Sequence, residues 1–98
     1  MTNLDQKNWW SQFLTDEKGV IIDVRTDAEW NDGYIETAIH IPLDKILQKI
    51  EFATENKEQT IYLYCRSGKR SAKAEKSLQS IGYINAKNIF TRKALSKY

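Results

Sequence analysis

The sequence of 98 residues contains one cysteine, one histidine, one methionine and one proline. A lone cysteine excludes an intramolecular disulfide and a Cys-x-x-Cys dithiol cycle. Cys65 and His40 together supply too few ligands for a Cys/His zinc site within one chain, so no structural metal is expected. Pro42 stands alone, with no repeat or low-complexity stretch, so nothing reads as a linker and one domain over residues 1–98 is expected. No apolar run approaches the roughly 20 residues needed to cross a bilayer, which argues against a membrane partner. The opening Met-Thr-Asn-Leu-Asp-Gln-Lys lacks the apolar core of a signal peptide. A cytoplasmic location is expected, or a periplasmic one if a leader has been removed. At this size a monomer is the default.

The composition that remains is that of a folded globular chain, 41% hydrophobic and 29% charged. The net charge of +2 is unevenly spread: residues 1–56 carry 5 basic and 11 acidic side chains, residues 57–98 carry 10 basic and 2 acidic. Oppositely charged solvated faces explain part of this, and a cationic half that attracts a small anion explains the rest. Nucleic acid is disfavoured, because the basic residues are not interleaved with aromatics in a recognition motif.

Residues 4–14 place Leu4, Trp9, Trp10, Phe13 and Leu14 at helical spacing, with the tryptophans expected to pack on a sheet. Short β-rich runs follow at Val20–Arg25, Ala38–Ile41 and Thr60–Tyr64, with a weaker one from Ala86 to Phe90. Helical patterns lie over 44–53 and 70–81, the second closed by Gly82. The alternation predicts an α/β domain with a mostly parallel sheet of four to five strands and helices on both faces. No strand is evident before residue 19, which favours four. Ligands of such sheets bind beyond the carboxyl ends of the strands, at Asp23–Arg25, Pro42 and Cys65.

The segment Tyr64-Cys65-Arg66-Ser67-Gly68-Lys69-Arg70-Ser71 joins a buried strand to an amphipathic helix. Loop amides and the positive end of the helix dipole favour an anion there. Arg66, Lys69 and Arg70 add positive charge, and Gly68 permits the curl that makes successive N–H groups converge. Each effect favours the ionised thiolate, so Cys65 needs no histidine base. A structural, inert cysteine is the alternative, but it requires no such cluster of cations. The reading demands a thiol within reach of solvent. His40, on another strand run, is expected to be a core or edge histidine.

Cys65-Arg66-Ser67-Gly68-Lys69-Arg70-Ser71 resembles the active-site loop of the rhodanese family, Cys-x-x-Gly-x-Arg-Ser. Asp23-Val24-Arg25, Glu29-Trp30, Gly33, Ile35, Ala38 and Ile41-Pro42 are similar to the family's first signature. Ala74, Leu78 and Gly82-Tyr83 fall where its post-loop helix and turn lie. The short single-domain, phage-shock-protein-E-like branch looks nearest. The resemblance implies a rhodanese-like fold and a thiosulfate sulfurtransferase. Cys65 would take sulfane sulfur from a small anionic donor as a persulfide and pass it to cyanide or a thiol acceptor; the persulfide itself would carry the transferred atom, so no cofactor is implied.

It further implies that the amides of Arg66, Ser67, Gly68, Lys69, Arg70 and Ser71 cradle the sulfur. Arg66 and Lys69 would attract the donor at the pocket mouth, and Arg70 would brace the loop from within. Asp23 and Arg25 would hold the neighbouring strand end, with Arg25 expected to pair with Glu29. Related phosphatases and arsenate reductases have Cys-x5-Arg. The shorter Cys-x4-Arg spacing here favours sulfur over a tetrahedral oxyanion. Tyr34 and Glu36-Thr37 replace the family's usual His-x-Pro-Gly, so that turn must be built differently. Ile89-Phe90-Thr91-Arg92 stands where the family often has Gly-Gly. A persulfide carrier or protein-binding module with low turnover is the competing function.

Overall fold

In the computed structural model, residue 16 and residues 18–91 are described. The helix expected over residues 4–14, with Trp9 and Trp10, lies outside them, as does Arg92. Strand and helix alternate as β1 (Val20–Asp23), α1 (Asp27–Asn31), β2 (Ile39–His40), a 3-10 turn (Leu43–Lys45), α2 (Ile46–Ala53), β3 (Ile61–Cys65), α3 (Lys69–Ser80) and β4 (Ala86–Thr91). The strands form one sheet in the order β2-β1-β3-β4, parallel throughout. Among the described residues the sheet therefore has the four strands that the sequence favours.

Side chains alternate along a strand, and that period decides which face each group meets. Ile22 and Val24 of the β1 region and Ile61, Leu63 and Cys65 of β3 face one side. There they join Ile46, Ile50, Ala74, Leu78 and Tyr83 in a buried cluster, so α2 and α3 cover this face. Ile21, Tyr62 and Tyr64 face the other side with Ile35, Ala38 and Ile89. β3 is buried along its whole length, as a central strand of a parallel sheet should be.

Helix α3 ends as the sequence predicts. Gly82 takes φ +101°, its N–H donates to the Gln79 carbonyl, and the Tyr83 N–H reaches back to the Leu78 carbonyl. That pair of bonds satisfies carbonyls left over at the helix end, and Tyr83 packs in the same cluster as Leu78.

Four features depart from the sequence reading or settle it. The strand expected over 38–41 shortens to Ile39–His40 at the sheet edge. A short helix, α1, was not anticipated; Thr26 caps it, accepting from the Glu29 N–H, while the Glu29 carboxylate accepts from the Thr26 N–H. The turn that lacks His-x-Pro-Gly is braced by aromatic stacking instead. The Trp30 ring lies 3.7 Å from Tyr34 and 4.7 Å from His40, both nearly parallel. His40 proves to be a half-buried edge residue whose Nε2 sits 2.8 Å from the Arg25 carbonyl.

Candidate active site

The carboxyl end of β3 delivers Cys65 to the amino end of α3. Gly68 is the residue that turns the chain. It adopts φ +87° and ψ −10°, a left-handed conformation disfavoured for side chains other than glycine's. In that pose its N–H points back at the Cys65 Sγ, 3.0 Å away. The Ser71 N–H approaches the same sulfur at 3.4 Å. Ser71 is the third residue of α3, and no side-chain oxygen caps that helix. The sulfur thus occupies the place where a capping oxygen would accept. The Ser71 Oγ lies 3.4 Å from Sγ as well.

Of the six loop amides, those of Gly68 and Ser71 point at the Cys65 sulfur in this structure, whereas the Lys69 N–H turns to the Ser67 Oγ. Arg66, Ser67 and Lys69 are exposed. One departure concerns access. Cys65 is 0% exposed, so the thiol does not stand open to solvent as the sequence argument requires. The reason is geometric: its parity on β3 points it inward under α3, and the loop closes over it.

Ser71 is itself buried and tied into a polar knot. Its Oγ lies 2.7 Å from Asn88 Oδ1 and 3.2 Å from the Gly68 carbonyl. Asn88 Nδ2 donates to that same carbonyl, and the Asn88 N–H donates to Glu75 Oε2. Asn88 pairs with Leu63 just before the register of β3 and β4 shifts, with Tyr64 opposite Phe90. Such a bulge re-aims side chains beside a site.

Arg70 braces the loop from outside rather than within. Both its Nη atoms grip the Glu29 carboxylate, at 2.6 and 2.9 Å. The Arg70 guanidinium, together with bonds from Thr26, outweighs burial and holds the Glu29 carboxyl down at about 2. The same bond raises Arg70, which stays charged. Arg25 does not pair with Glu29. Its Nε and Nη2 instead hold Asp23 at 2.7–3.0 Å, and Nη2 reaches the Gly33 carbonyl. Burial works against the Arg25 charge, but Asp23 more than offsets it. Asp23 lies on the face of β1 opposite Ile22, the side on which Tyr64 stands, and the Arg25 guanidinium sits 5.8 Å from the Tyr64 ring. Asp23 therefore buttresses the strand end from the side of the sheet opposite Cys65, holding Arg25 where the chain leaves β1.

A cleft of about 290 Å³ opens beyond the ends of β1 and β2, lined by Val24, Arg25, Thr26, Pro42, Leu43, Asp44 and Arg70. Two of the three strand ends singled out by the sequence meet in it, and Arg70 links it to the Cys65 loop.

The sequence matches the rhodanese-like domain family over residues 6–90. The chain belongs to that family. It is 33% identical over 67 residues to the thiosulfate sulfurtransferase PspE of Escherichia coli, covering 68% of this chain and 64% of PspE. It is 33% identical over 75 residues to the putative sulfur carrier protein YrkF of Bacillus subtilis, covering 76% of this chain and 40% of YrkF. The chain thus spans less than two thirds of either relative. Among solved structures, a rhodanese with anions from E. coli superposes with a TM-score of 0.74 at 31% identity, covering 76% of this chain and 88% of that one.

Against the rhodanese-like frame, two groups escaped the sequence reading. Thr26 caps α1 and so orients Glu29; its signal is Thr-x-x-Glu, a capping pattern readable in one dimension. Asn88 is a buried polar residue on β4, and such a residue signals a partner that must satisfy it.

Proposed function

We propose that the chain is a thiosulfate sulfurtransferase in which Cys65 carries the transferred sulfur. The observation that carries this reading is the sulfur's position: two main-chain amides at the positive end of α3 aim at it from 3.0 and 3.4 Å. Main-chain N–H donors in this position suit a sulfur atom that gains negative charge as it reacts.

In the first step the Cys65 thiolate attacks the outer sulfur of thiosulfate. A new S–S bond forms, the bond to the sulfonate sulfur breaks, and sulfite leaves with that electron pair. In the second step cyanide or a thiolate attacks the outer sulfur of the persulfide, and Cys65 departs again as a thiolate. No proton, metal or external oxidant is consumed. Arg66 and Lys69 on the rim draw the anionic donor in, and Arg70 keeps the loop in register through Glu29. Because Cys65 is covered at rest, the loop and its neighbours must part for the donor to reach the sulfur, a motion of the kind that gates many sites.

Intact mass spectrometry tests the reading. Thiosulfate should add one sulfur to the protein, cyanide should remove it as thiocyanate, and Cys65→Ser should abolish both. Retained thiocyanate formation in Cys65→Ser, or a native thiol that neither loads nor reacts with iodoacetamide, refutes it. A second reading, a persulfide carrier with low turnover, is favoured by the likeness to the sulfur carrier YrkF. Stable loading with slow release to cyanide would select it.

A further inference from the structure

We propose that the solvent face of α3, with Arg66 on the loop before it, docks an acidic protein segment carrying the thiol to which Cys65 hands its sulfur. The docking rests on the surface itself, and its last step rests on the proposed sulfur transfer.

Helical period makes the surface. At roughly 100° per residue, Lys69, Lys73 and Lys76 share one stripe of α3, facing away from the buried Ser71, Ala74 and Leu78. All three lysines are exposed, as is Arg66. The stripe is about 10 Å long. It starts in the turn whose Ser71 N–H approaches the Cys65 sulfur. Among the described residues, none of these four cations forms an ion pair. Arg70, the other cation of the helix, is taken by Glu29. The acidic residue of α3 does not balance the stripe, because the Glu75 carboxylate turns to β4 and accepts from the Asn88 N–H.

This arrangement weakens the helix. Lysines three and four residues apart repel one another, and a lysine in the first turn opposes the helix dipole with no acidic residue there to offset it. A face that served solubility alone would mix the two signs. Chains break such local rules chiefly where function requires it.

The shape of the charge selects the partner. A small anionic donor meets the cations at the loop and gains no contact with Lys76, about two turns further on. Only a macromolecule touches all four. A nucleic acid would need a broader basic field and rings to stack on, yet the exposed aromatics Tyr34 and Phe52 lie off this helix, and residues 1–56 carry 5 basic against 11 acidic side chains. An acidic protein segment covers the stripe alone and brings its thiolate to the loop over Cys65. That thiolate takes the outer sulfur of the persulfide: a new S–S bond forms, the bond to Cys65 Sγ breaks, and Cys65 keeps the electron pair.

Two probes test this, a Glu/Asp-rich peptide with a single cysteine and a Ser/Gly-rich peptide of equal length. Fluorescence anisotropy with the cysteine blocked reads binding, and mass spectrometry after thiosulfate loading reads sulfur on the peptide. At low salt the acidic peptide should bind more tightly and take sulfur about tenfold faster, an advantage that fades as salt rises. Lys73→Glu/Lys76→Glu should abolish the advantage and leave transfer to the neutral peptide unchanged. Lys18→Glu/Lys49→Glu makes the same change in net charge at exposed lysines off α3 and should keep the advantage. If the α3 reversal does not fold by circular dichroism, Lys73→Ala/Lys76→Ala should lose most of it. No preference for the acidic peptide, or an equal loss in the two charge-reversed variants, overturns the proposal. So does a labelled RNA oligonucleotide that binds more tightly than the acidic peptide and depends on the same lysines. Binding without any sulfur on Cys65 sinks the proposed reaction and leaves the docking surface, whereas loading without preferential binding sinks the docking alone.

Discussion

Arg25 and Arg70 both close on a carboxylate near a strand's carboxyl end, and they do opposite work. Arg25 holds Asp23 two residues away, with side chains 8% and 0% exposed. Arg70 holds Glu29 from 41 residues away, with side chains 32% and 24% exposed. The first pair is local and dry. It adds the Gly33 carbonyl and the Arg25 N–H to its bonds and so fixes the course of the chain as it leaves β1. The second is long-range and half wet, tying the start of α3 to the capped first turn of α1. A buried pair of this kind is costly to break because either partner alone is an uncompensated charge, whereas a partly exposed pair is partly replaced by water. The buried pair should therefore govern stability, and the exposed pair the placement of the reactive loop.

The largest effect expected is on the dry pair. Asp23→Asn leaves the Arg25 guanidinium buried without its counter-charge and should cost about 3–5 kcal/mol of unfolding free energy. Urea denaturation measures this. Asp23 itself stands on the face of the sheet opposite Cys65, so the folded fraction should load sulfur from thiosulfate at the wild-type rate. A variant as stable as wild type, or a folded one that loads far more slowly, would erase the distinction between the two arginines.

How much of this contrast lay in the sequence follows from the range of the interactions. The strand-helix alternation, the order of elements and the loop after Cys65 were readable because period and local turn chemistry decide them. The family resemblance carried the same loop. The pairing of Arg25 with Glu29 was misread because a four-residue spacing brings side chains together only within a helix. Arg25 precedes the Thr26 cap and is extended from the strand, so its nearest carboxylate is two residues back on the same face. The partner of Glu29 lies 41 residues on, and only the folded chain brings it near. The capping pattern Thr26-x-x-Glu29 could have revealed α1 and the fixed direction of Glu29. The cover over Cys65 could not be read, since strand parity decides the face but the wrap of the loop decides the access.

A smaller effect is expected from the wet pair. Glu29→Gln keeps the shape and one acceptor but removes the charge that grips Arg70. The loss should be about 1 kcal/mol in stability, within the range of partly exposed pairs. Sulfur loading should nevertheless slow by roughly tenfold, because a loop released at α3 no longer holds its amides on the reacting sulfur. A stopped-flow or quenched mass assay of loading separates the two outcomes. If Asp23→Asn slows loading more than Glu29→Gln does, per folded molecule, the assigned division of labour is reversed.

The subtlest effect is on acid stability, and its sign follows from the Glu29 carboxyl. Arg70 holds that group at about 2, against an ordinary value of 4.5. A carboxyl that is more acidic in the folded state adds stability that is fully present above 4.5 and fades as the pH falls from there through about 2. Below that range the folded and unfolded states bind the same proton and the contribution is gone. Glu29→Gln has no proton to bind, so its stability should change less between those limits than the wild type's. The difference between the two proteins should shrink as acid is added. Urea midpoints measured across that pH window at fixed ionic strength read this directly. A constant gap would mean that Glu29 ionises in the native protein as it does in the unfolded chain, and the clamp on the loop would then owe nothing to charge.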